Sequence, residues 1–335
     1  MAAITAPFGR VLTAMVTPFG RDGSLDCEAA ARVATYLVDN GNDGLVITGT
    51  TGESPTVSDE EAGRVLAAVV DAVGDRASIV AGVGTNDTAH SVRLAQQARR
   101  LGADGVIVVT PYYSKPPQTG VIGHMTAVAE AAHLPTMVYD IPGRTGLALT
   151  HDTLLRLAEH PRIVAVKDAT GDLFAGSQVM AETGLAYYSG DDALNLAWLA
   201  CGAVGLVSVV GHVAPRQYVQ LVKAVDGGDL VAAREIHEAL LPAVRAVMTR
   251  TQAAIMAKAG LQVLGVLEHR TMRSPLIEAT DDEVAELRVD LAAAGLLNGT
   301  TAGATRIQSL AQHRRCRRAH CGSPRLAAWV RSAAT

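Results

Sequence analysis

The sequence from Ile163 to Asp168 is Ile-Val-Ala-Val-Lys-Asp, an apolar and mostly β-branched run that ends in a lysine and an aspartate. Such a run is typical of a parallel strand buried on both faces, so the ammonium group of Lys167 would lie where a charge is costly. The chain has 29 basic residues, but its only lysines are Lys115, Lys167, Lys223 and Lys258. A lysine amine can lose its proton and attack a carbonyl carbon, which an arginine cannot do. Lys167 is therefore a candidate nucleophile.

Short apolar runs like this one recur along the chain, and each is followed by a polar turn and a helical pattern. The predicted strands are 11–19, 44–50, 78–85, 105–113, 135–141, 163–168, 186–190 and 205–210. The predicted helices that alternate with them are 26–40, 58–73, 87–101, 118–132, 150–159, 172–182, 191–201 and 215–225. Most of these helices open at a Ser, Thr or Asp that can cap a helix N-terminus.

This alternation favours a (β/α)8 barrel, the TIM barrel, because strands buried on both faces need helices outside and layers of side chains inside. A doubly wound sheet is the alternative. However, no glycine-rich phosphate turn follows the first strand, and Gly82-Val83-Gly84 lacks the third glycine of a dinucleotide fingerprint. Further helices are predicted at 229–248, 251–264 and 281–294. We therefore expect a catalytic barrel in residues 1–226, a C-terminal helical domain in 227–297 and a basic tail in 298–335.

The composition is that of a globular chain, with 335 residues of which 49% are hydrophobic and 19% charged. The N-terminus lacks the charged start and apolar core of a signal peptide, and no apolar segment reaches the roughly 18 to 20 residues of a membrane span. Four cysteines in a chain of this length do not form a disulfide framework, which indicates a reducing compartment. We therefore expect a cytoplasmic protein without a membrane partner.

Residues 298–335 differ in charge from the rest of the chain. They hold seven arginines and no acidic residue, so the formal net charge of −4 leaves about −11 for the first 297 residues. Segment 313–321 contains two histidines and two cysteines, but their spacing matches no common zinc pattern, and no aromatic residue interleaves the basic ones. A basic stretch without periodicity is typical of a solvated segment, so we predict disorder here and neither a metal nor a nucleic-acid partner.

Active sites of (β/α)8 barrels lie at the C-terminal ends of the strands. Because side chains alternate along a strand, Lys167 should point into the barrel and Asp168 away from it; an ordinary ion-paired lysine is the alternative. A nucleophilic amine must be neutral for part of the reaction cycle. Lowering its pKa from about 10.4 to about 7 to 8 takes roughly 3 to 5 kcal/mol of destabilisation of the charged form, which burial can supply.

Other strand ends also carry polar side chains. Thr50 and Thr51 could bind a small carboxylate through their hydroxyls and backbone N–H groups, although an ordinary capped turn has the same composition. Tyr139 ends an apolar strand and could relay protons beside a lysine, or could simply fill the core. Arg144 follows Pro-Gly on a loop that needs no guanidinium, so carboxylate recognition is its favoured role. Asp191 and Asp192 are interpreted as helix caps.

Together these residues resemble the class I pyruvate aldolase family that contains dihydrodipicolinate synthase and N-acetylneuraminate lyase. The similarity runs from about Val11 to Ala294 and is carried by Gly49-Thr50-Thr51-Gly52-Glu53-Ser54, Pro111-Tyr112-Tyr113, Tyr139 with Pro142, and Val166-Lys167-Asp168-Ala169-Thr170-Gly171. It implies a barrel with a C-terminal helical domain, a pyruvate Schiff base on Lys167, and no metal or organic cofactor. It also implies that Thr51 holds the pyruvate carboxylate, with Gly190 and Val207 lining the pocket.

Two features point to the synthase within this family. Sialate lyases typically carry Ser-Thr in place of Thr50-Thr51, and they lack the arginine that in the synthase binds the carboxylate of L-aspartate 4-semialdehyde, here Arg144. The implied reaction condenses pyruvate with this semialdehyde to 4-hydroxy-tetrahydrodipicolinate, the entry step of diaminopimelate and lysine biosynthesis. The alternatives are a pyruvate-dependent aldolase acting on a sugar acid, such as N-acetylneuraminate or a 2-keto-3-deoxy acid, and a catalytically idle barrel that only binds a keto acid.

The resemblance further implies a role for a second subunit. Tyr139 would shuttle protons, Thr50 would link it to Tyr113, and Tyr113 would reach the active site of a neighbouring subunit. The expected assembly is a homotetramer built as a dimer of dimers.

The chain departs from the family pattern at several positions. Asp140 and Gly143 stand where many relatives have Asn and Ser. In the site where lysine inhibits some members, Ser54, Asn86 and Tyr112 match, but Asp59, Ala62 and His90 replace the two histidines and the acidic residue of the regulated pattern. We therefore expect weak or absent inhibition by lysine.

Overall fold

The computed structural model describes residues 6–297, which contain a closed barrel of eight parallel strands in sequence order. The strands are β1 (Val11–Ala14), β2 (Gly44–Ile47), β3 (Ser78–Gly82), β4 (Gly105–Val109), β5 (Thr136–Asp140), β6 (Ile163–Asp168), β7 (Ala186–Ser189) and β8 (Gly205–Ser208). The predicted TIM barrel is confirmed. Strands β1 to β4 end three to five residues before their predicted boundaries, and the residues after the strands form the mouth of the barrel.

The helices are α1 (Cys27–Asp39), α2 (Asp59–Val73), α3 (Thr88–Arg100), α4 (Gln118–Ala132), α5 (Pro142–Thr145), α6 (His151–Ala158), α7 (Leu173–Glu182), α8 (Asn195–Ala200), α9 (Pro215–Asp226), α10 (Leu230–Met248), α11 (Ala253–Val263) and α12 (Asp281–Ala293). Their starts are explained by local chemistry: Ser58 and Glu61, for example, form a reciprocal capping box at the start of α2. The one-turn helix α5 was not predicted. The predicted helix 191–201 is wrong at its start, because a 3-10 turn, Asp192–Leu194, precedes α8.

The strands separate two apolar layers, as alternation along buried strands requires. Residues such as Leu12, Val46 and Val207 fill the barrel interior, and a larger cluster lies between the outer faces of the strands and the helices. Neighbouring tyrosines on β7 show the alternation directly, since Tyr188 lies inside whereas Tyr187 packs outside against Trp198.

The chain continues beyond the barrel into the helices α10 to α12. Helix α10 packs on α9 and α12, and α11 contacts the 3-10 turn Val210–His212 that follows β8. The division expected at residues 226 and 227 falls between the end of α9 and the start of α10. The predicted disorder of the basic tail, 298–335, lies outside the described residues. Within residues 6–297 no helix has the length and apolarity needed to cross a membrane.

Candidate active site

The C-terminal ends of the strands surround an open cavity of about 710 Å³. Six of the predicted site residues line it: Thr50, Thr51, Tyr113, Tyr139, Arg144 and Lys167. The other two are close to it but do not form its wall. Gly190 lies against the lysine, since a Cβ built there would be 3.0 Å from Lys167 Cγ, and Val207 is buried in the barrel interior.

Lys167 and Tyr139 face each other across neighbouring strands. They are register partners on β6 and β5, and Lys167 Nζ lies 4.0 Å from the centre of the Tyr139 ring. Asp168 points to the other face, where its Oδ1 accepts hydrogen bonds of 2.8 Å from the backbone N–H and the hydroxyl of Thr170. The predicted opposite orientation of Lys167 and Asp168 is therefore confirmed, and Asp168 is directed away from the amine.

Burial shifts the pKa values of both residues away from their ordinary values, in opposite directions. Lys167 is only 5% exposed, and desolvation lowers its pKa to about 8; the negative charge of Asp192 opposes this shift, and the positive charge of Arg144 adds to it. Desolvation raises the pKa of Tyr139 above its ordinary value, with Arg144 acting in the opposite direction. Near neutral pH a usable fraction of the lysine is thus a free amine, whereas the phenol keeps its proton.

The turn after β2 presents Thr50 and Thr51 to the cavity. Both Thr48 and Glu53 have φ of 57°, a left-handed conformation that costs a non-glycine residue about 1 to 3 kcal/mol and persists only when its surroundings enforce it. Glycines let the backbones approach here, because a Cβ on Gly82 would lie 2.7 Å from the carbonyl oxygen of Thr48. Thr51 is buried, and its position on a tight turn suits it to bind a small anion.

Tyr113 behaves differently from the buried members of the site. Its side chain is 88% exposed at the rim of the cavity, and its φ is 71°. Among the described residues of a single chain, no hydrogen bond joins the hydroxyl of Thr50 to Tyr139 or to Tyr113. One chain therefore brings Lys167, Tyr139, Thr50 and Thr51 together and leaves Tyr113 at the surface.

Arg144 belongs to the unpredicted helix α5, where Pro142 opens the turn and Gly146 closes it with a φ of 74°. The guanidinium is exposed, lines the cavity and forms no salt bridge with any carboxylate of residues 6–297. A positive charge held at the cavity wall without an acidic partner can bind a carboxylate of a substrate.

Two further residues were missed or misinterpreted from the sequence. Lys115 lines the cavity, and its rarity as one of four lysines could have indicated it. Asp191 is a cap, as expected, because it accepts from the N–H of Ala193. Asp192 is not: it is 3% exposed and accepts hydrogen bonds from Ser208 and from the N–H groups of Val209 and Val210, which ties the end of β7 to the end of β8.

Asp140, where the family pattern commonly has Asn, lies on the outer face of the barrel, opposite Asp168 in register. Its Oδ2 accepts from the N–H of Leu149 at 3.0 Å, whereas its Oδ1 has no partner in the described part of the chain. Burial raises its pKa to about 7, with the charge of Asp168 adding to the shift. This acid therefore stands behind the strand and not in the cavity.

The fold and the site define a barrel enzyme with a desolvated lysine amine at its mouth, the arrangement used for Schiff-base chemistry. The model of the Dihydrodipicolinate synthetase family matches residues 7–294, and the chain belongs to this family. A curated relative, the 4-hydroxy-tetrahydrodipicolinate synthase of Kineococcus radiotolerans, is 60% identical over 290 residues, which cover 87% of this chain and 94% of that protein.

Solved structures of the family have the same fold. Dihydrodipicolinate synthase from Cyanidioschyzon merolae, with lysine bound, superposes with a TM-score of 0.84 at 39% identity. The match covers 88% of this chain and 100% of that chain. The chloride-inhibited dihydrodipicolinate synthase from Acinetobacter baumannii, complexed with pyruvate, superposes with a TM-score of 0.83 at 34% identity. The match covers 87% of this chain and 100% of that chain. The family expected from the sequence is confirmed, and the chain is a lyase of this family.

The lowered pKa of Lys167 predicts the pH dependence of imine formation. Because only the neutral amine attacks, the rate of pyruvate imine formation in single-turnover experiments should rise with pH and level off above a midpoint near 8. Arg144→Ala removes a charge that lowers this pKa and should move the midpoint upward. A rate that continues to rise to about pH 10, as for a solvated lysine, would contradict the desolvated amine.

Proposed function

We propose that this chain condenses pyruvate with L-aspartate 4-semialdehyde, through a Schiff base on Lys167, to give 4-hydroxy-tetrahydrodipicolinate. The observation that carries the proposal is the placement of the Lys167 amine, desolvated and 4.0 Å from the Tyr139 ring, in a cavity that also presents Arg144. Family membership and the name of the Kineococcus relative support the same reaction. No metal or organic cofactor takes part, because the iminium itself acts as the electron sink.

The proposed reaction begins at the amine of Lys167. The neutral amine adds to the keto carbon of pyruvate, Tyr139 donates a proton to the departing hydroxyl, and water leaves to give the imine. Loss of a methyl proton, with Tyr139 as the relay, gives the enamine, whose carbon attacks the aldehyde of the second substrate. The amino group of that substrate then adds to the imine carbon and releases Lys167, so that the ring closes and the free enzyme returns.

The remaining residues have proposed binding roles. Thr51, with Thr50 beside it, holds the carboxylate of pyruvate at the tight turn after β2. Gly190 gives Lys167 room, and Val207 contributes to the apolar barrel interior. Arg144 binds the carboxylate of the semialdehyde and so selects the second substrate. An aldolase that acts on a sugar acid is less favoured, since the free guanidinium suits a carboxylate-bearing aldehyde and the relatives described above are synthases.

Covalent trapping tests the nucleophile. Borohydride reduction in the presence of pyruvate should add one reduced pyruvate unit to Lys167, located by peptide mass spectrometry, and Lys167→Met should abolish the label. The matched control is Lys115→Met, which removes another lysine from the same cavity and should leave labelling intact. Labelling of any other residue, or none, would rule out the aldolase mechanism and favour an idle keto-acid-binding barrel.

Substrate selection is tested at Arg144. Arg144→Ala should raise KM for the semialdehyde by about tenfold to a hundredfold, because a charge-assisted contact contributes about 1.5 to 3 kcal/mol, while pyruvate trapping changes less than about threefold. Arg156→Ala, at an exposed arginine of α6, is the control and should change neither value. Equal losses for both substrates would argue against this role of Arg144.

We also propose an oligomeric, cytoplasmic enzyme, with a dimer of dimers as the assembly. An aromatic residue that is 88% exposed in a left-handed conformation at the rim of the cavity supports a contact of Tyr113 with a second subunit. The free cysteines Cys27 and Cys201 suit a reducing compartment. Sedimentation at the concentration used for activity assays should show oligomers and no monomer.

Inhibition by lysine should be weak. Asp59 and His90, which replace residues of the regulated pattern, contact each other at 2.7 Å, so each occupies hydrogen-bonding capacity that a bound ligand would need. We expect less than half-inhibition at about 1 mM lysine in a steady-state assay with both substrates near KM. Strong inhibition below that concentration would contradict this expectation.

A further inference from the structure

The turn that carries Thr50 and Thr51 is fastened from the C-terminal helices. Glu53, two residues after Thr51, is 2% exposed, and its carboxylate points away from the cavity. Its Oε1 accepts from Nζ of Lys258 at 2.5 Å, and its Oε2 accepts from the backbone N–H of Arg273 at 3.1 Å. Both partners lie beyond the barrel, on and after α11.

Lys258 is equally buried and is fully engaged. Its side chain is 1% exposed, and its ammonium also donates to the carbonyl oxygen of Thr271 at 2.7 Å and lies 4.2 Å from the centre of the Phe19 ring. In this desolvated environment each charge needs the other as its counter-ion. The geometry of the ion pair therefore constrains the position of the Glu53 carboxylate.

Arg273 holds the far end of the same turn. Its guanidinium donates to the carbonyl oxygens of Gly23 and Thr56 and forms a bidentate pair with Glu61 at the start of α2. The segment from Glu53 to Thr56 is therefore attached to the C-terminal region at both of its ends. The left-handed φ of 57° at Glu53 shows that the surroundings enforce the backbone there.

We propose that Lys258 is a positioning residue for pyruvate binding: by holding Glu53, it sets the geometry of the Thr50-Thr51 turn that receives the pyruvate carboxylate. Lys258 lines no part of the cavity and touches no reacting atom. It acts through the backbone that connects Glu53 to Thr51. The inference rests on the proposed carboxylate-binding role of Thr51.

The test separates binding geometry from stability. Lys258→Met keeps the length of the side chain but leaves the buried carboxylate of Glu53 without its ammonium partner. It should therefore raise KM for pyruvate at least about tenfold and lower Tm, with KM for the semialdehyde within about twofold of the parent. The double variant Glu53→Gln with Lys258→Met buries no lone charge. We expect its Tm to recover while its KM for pyruvate stays elevated.

Recovery of both Tm and KM in the double variant would overturn the proposal, because the pair would then only stabilise the fold. If Lys258→Met does not fold, the double variant carries the test. Asp290→Asn is the matched control. Asp290 on α12 forms salt bridges with Arg245 on α10 and with Arg250 just after α10, and it has no contact with Glu53 or Lys258, so its loss should lower Tm without changing KM for pyruvate. An equal rise in KM there would also overturn the proposal.

A third variant distinguishes the inference from the function on which it rests. Thr51→Val removes the hydroxyl that is proposed to bind the carboxylate. If Thr51→Val raises KM for pyruvate and the double variant does not, the positioning role of Lys258 is wrong while the binding role of Thr51 stands. If Thr51→Val leaves KM unchanged, the proposed carboxylate site is wrong.

Discussion

The desolvation of one amine is the constraint on which the rest of this structure depends. Lowering the pKa of Lys167 from 10.5 to about 8 corresponds to about 3 kcal/mol against the charged form. Because the folded pKa is below the unfolded one, the fold bears this cost in full below about pH 8 and is relieved of it as the pH rises past about 10. The apolar interior of the closed barrel buries the amine. The favourable packing of side chains in that interior offsets the cost of desolvating it.

The same dry interior determines the behaviour of the groups around the amine. Asp192 is close enough to raise the pKa of Lys167, yet its oxygens are taken up by Ser208, Val209 and Val210, so it moderates the shift without forming an ion pair with the amine. Tyr139 is kept protonated by burial. An amine that can lose its proton near neutral pH and a phenol that keeps its proton therefore lie side by side because neither is solvated.

The architecture could be predicted from the sequence because strands and helices each produce a local pattern of apolar and polar residues. Eight apolar runs gave eight strands, but the end of β1 was placed five residues too late: Met15, Val16 and Phe19 are buried without belonging to the strand. An apolar run reports burial, and it does not report which backbone groups pair. The four-residue helix α5 is too short to have a period, although it carries Arg144.

Long-range polar contacts could not be predicted for a different reason. Nothing in the neighbourhood of Glu53 indicates a lysine 205 positions later, since the pair arises only when the C-terminal helices pack on the barrel mouth. Asp192 likewise has the local appearance of a cap, and its bonds to β8 come from closure of the barrel. Residue types and the family resemblance predicted most of the side chains that line the cavity, whereas the contacts that support those side chains could be found only from the fold.

The contact between Glu53 and Lys258 limits how far this chain can be truncated at its C-terminal end. A fragment ending after α9 would contain every strand and every cavity-lining residue, yet it would leave a carboxylate without its counter-ion in the turn beside Thr51. The residues that complete the barrel are therefore fewer than the residues that support its active-site turn. The barrel is complete at Asp226, but the contacts that hold the turn beside Thr51 extend to Arg273.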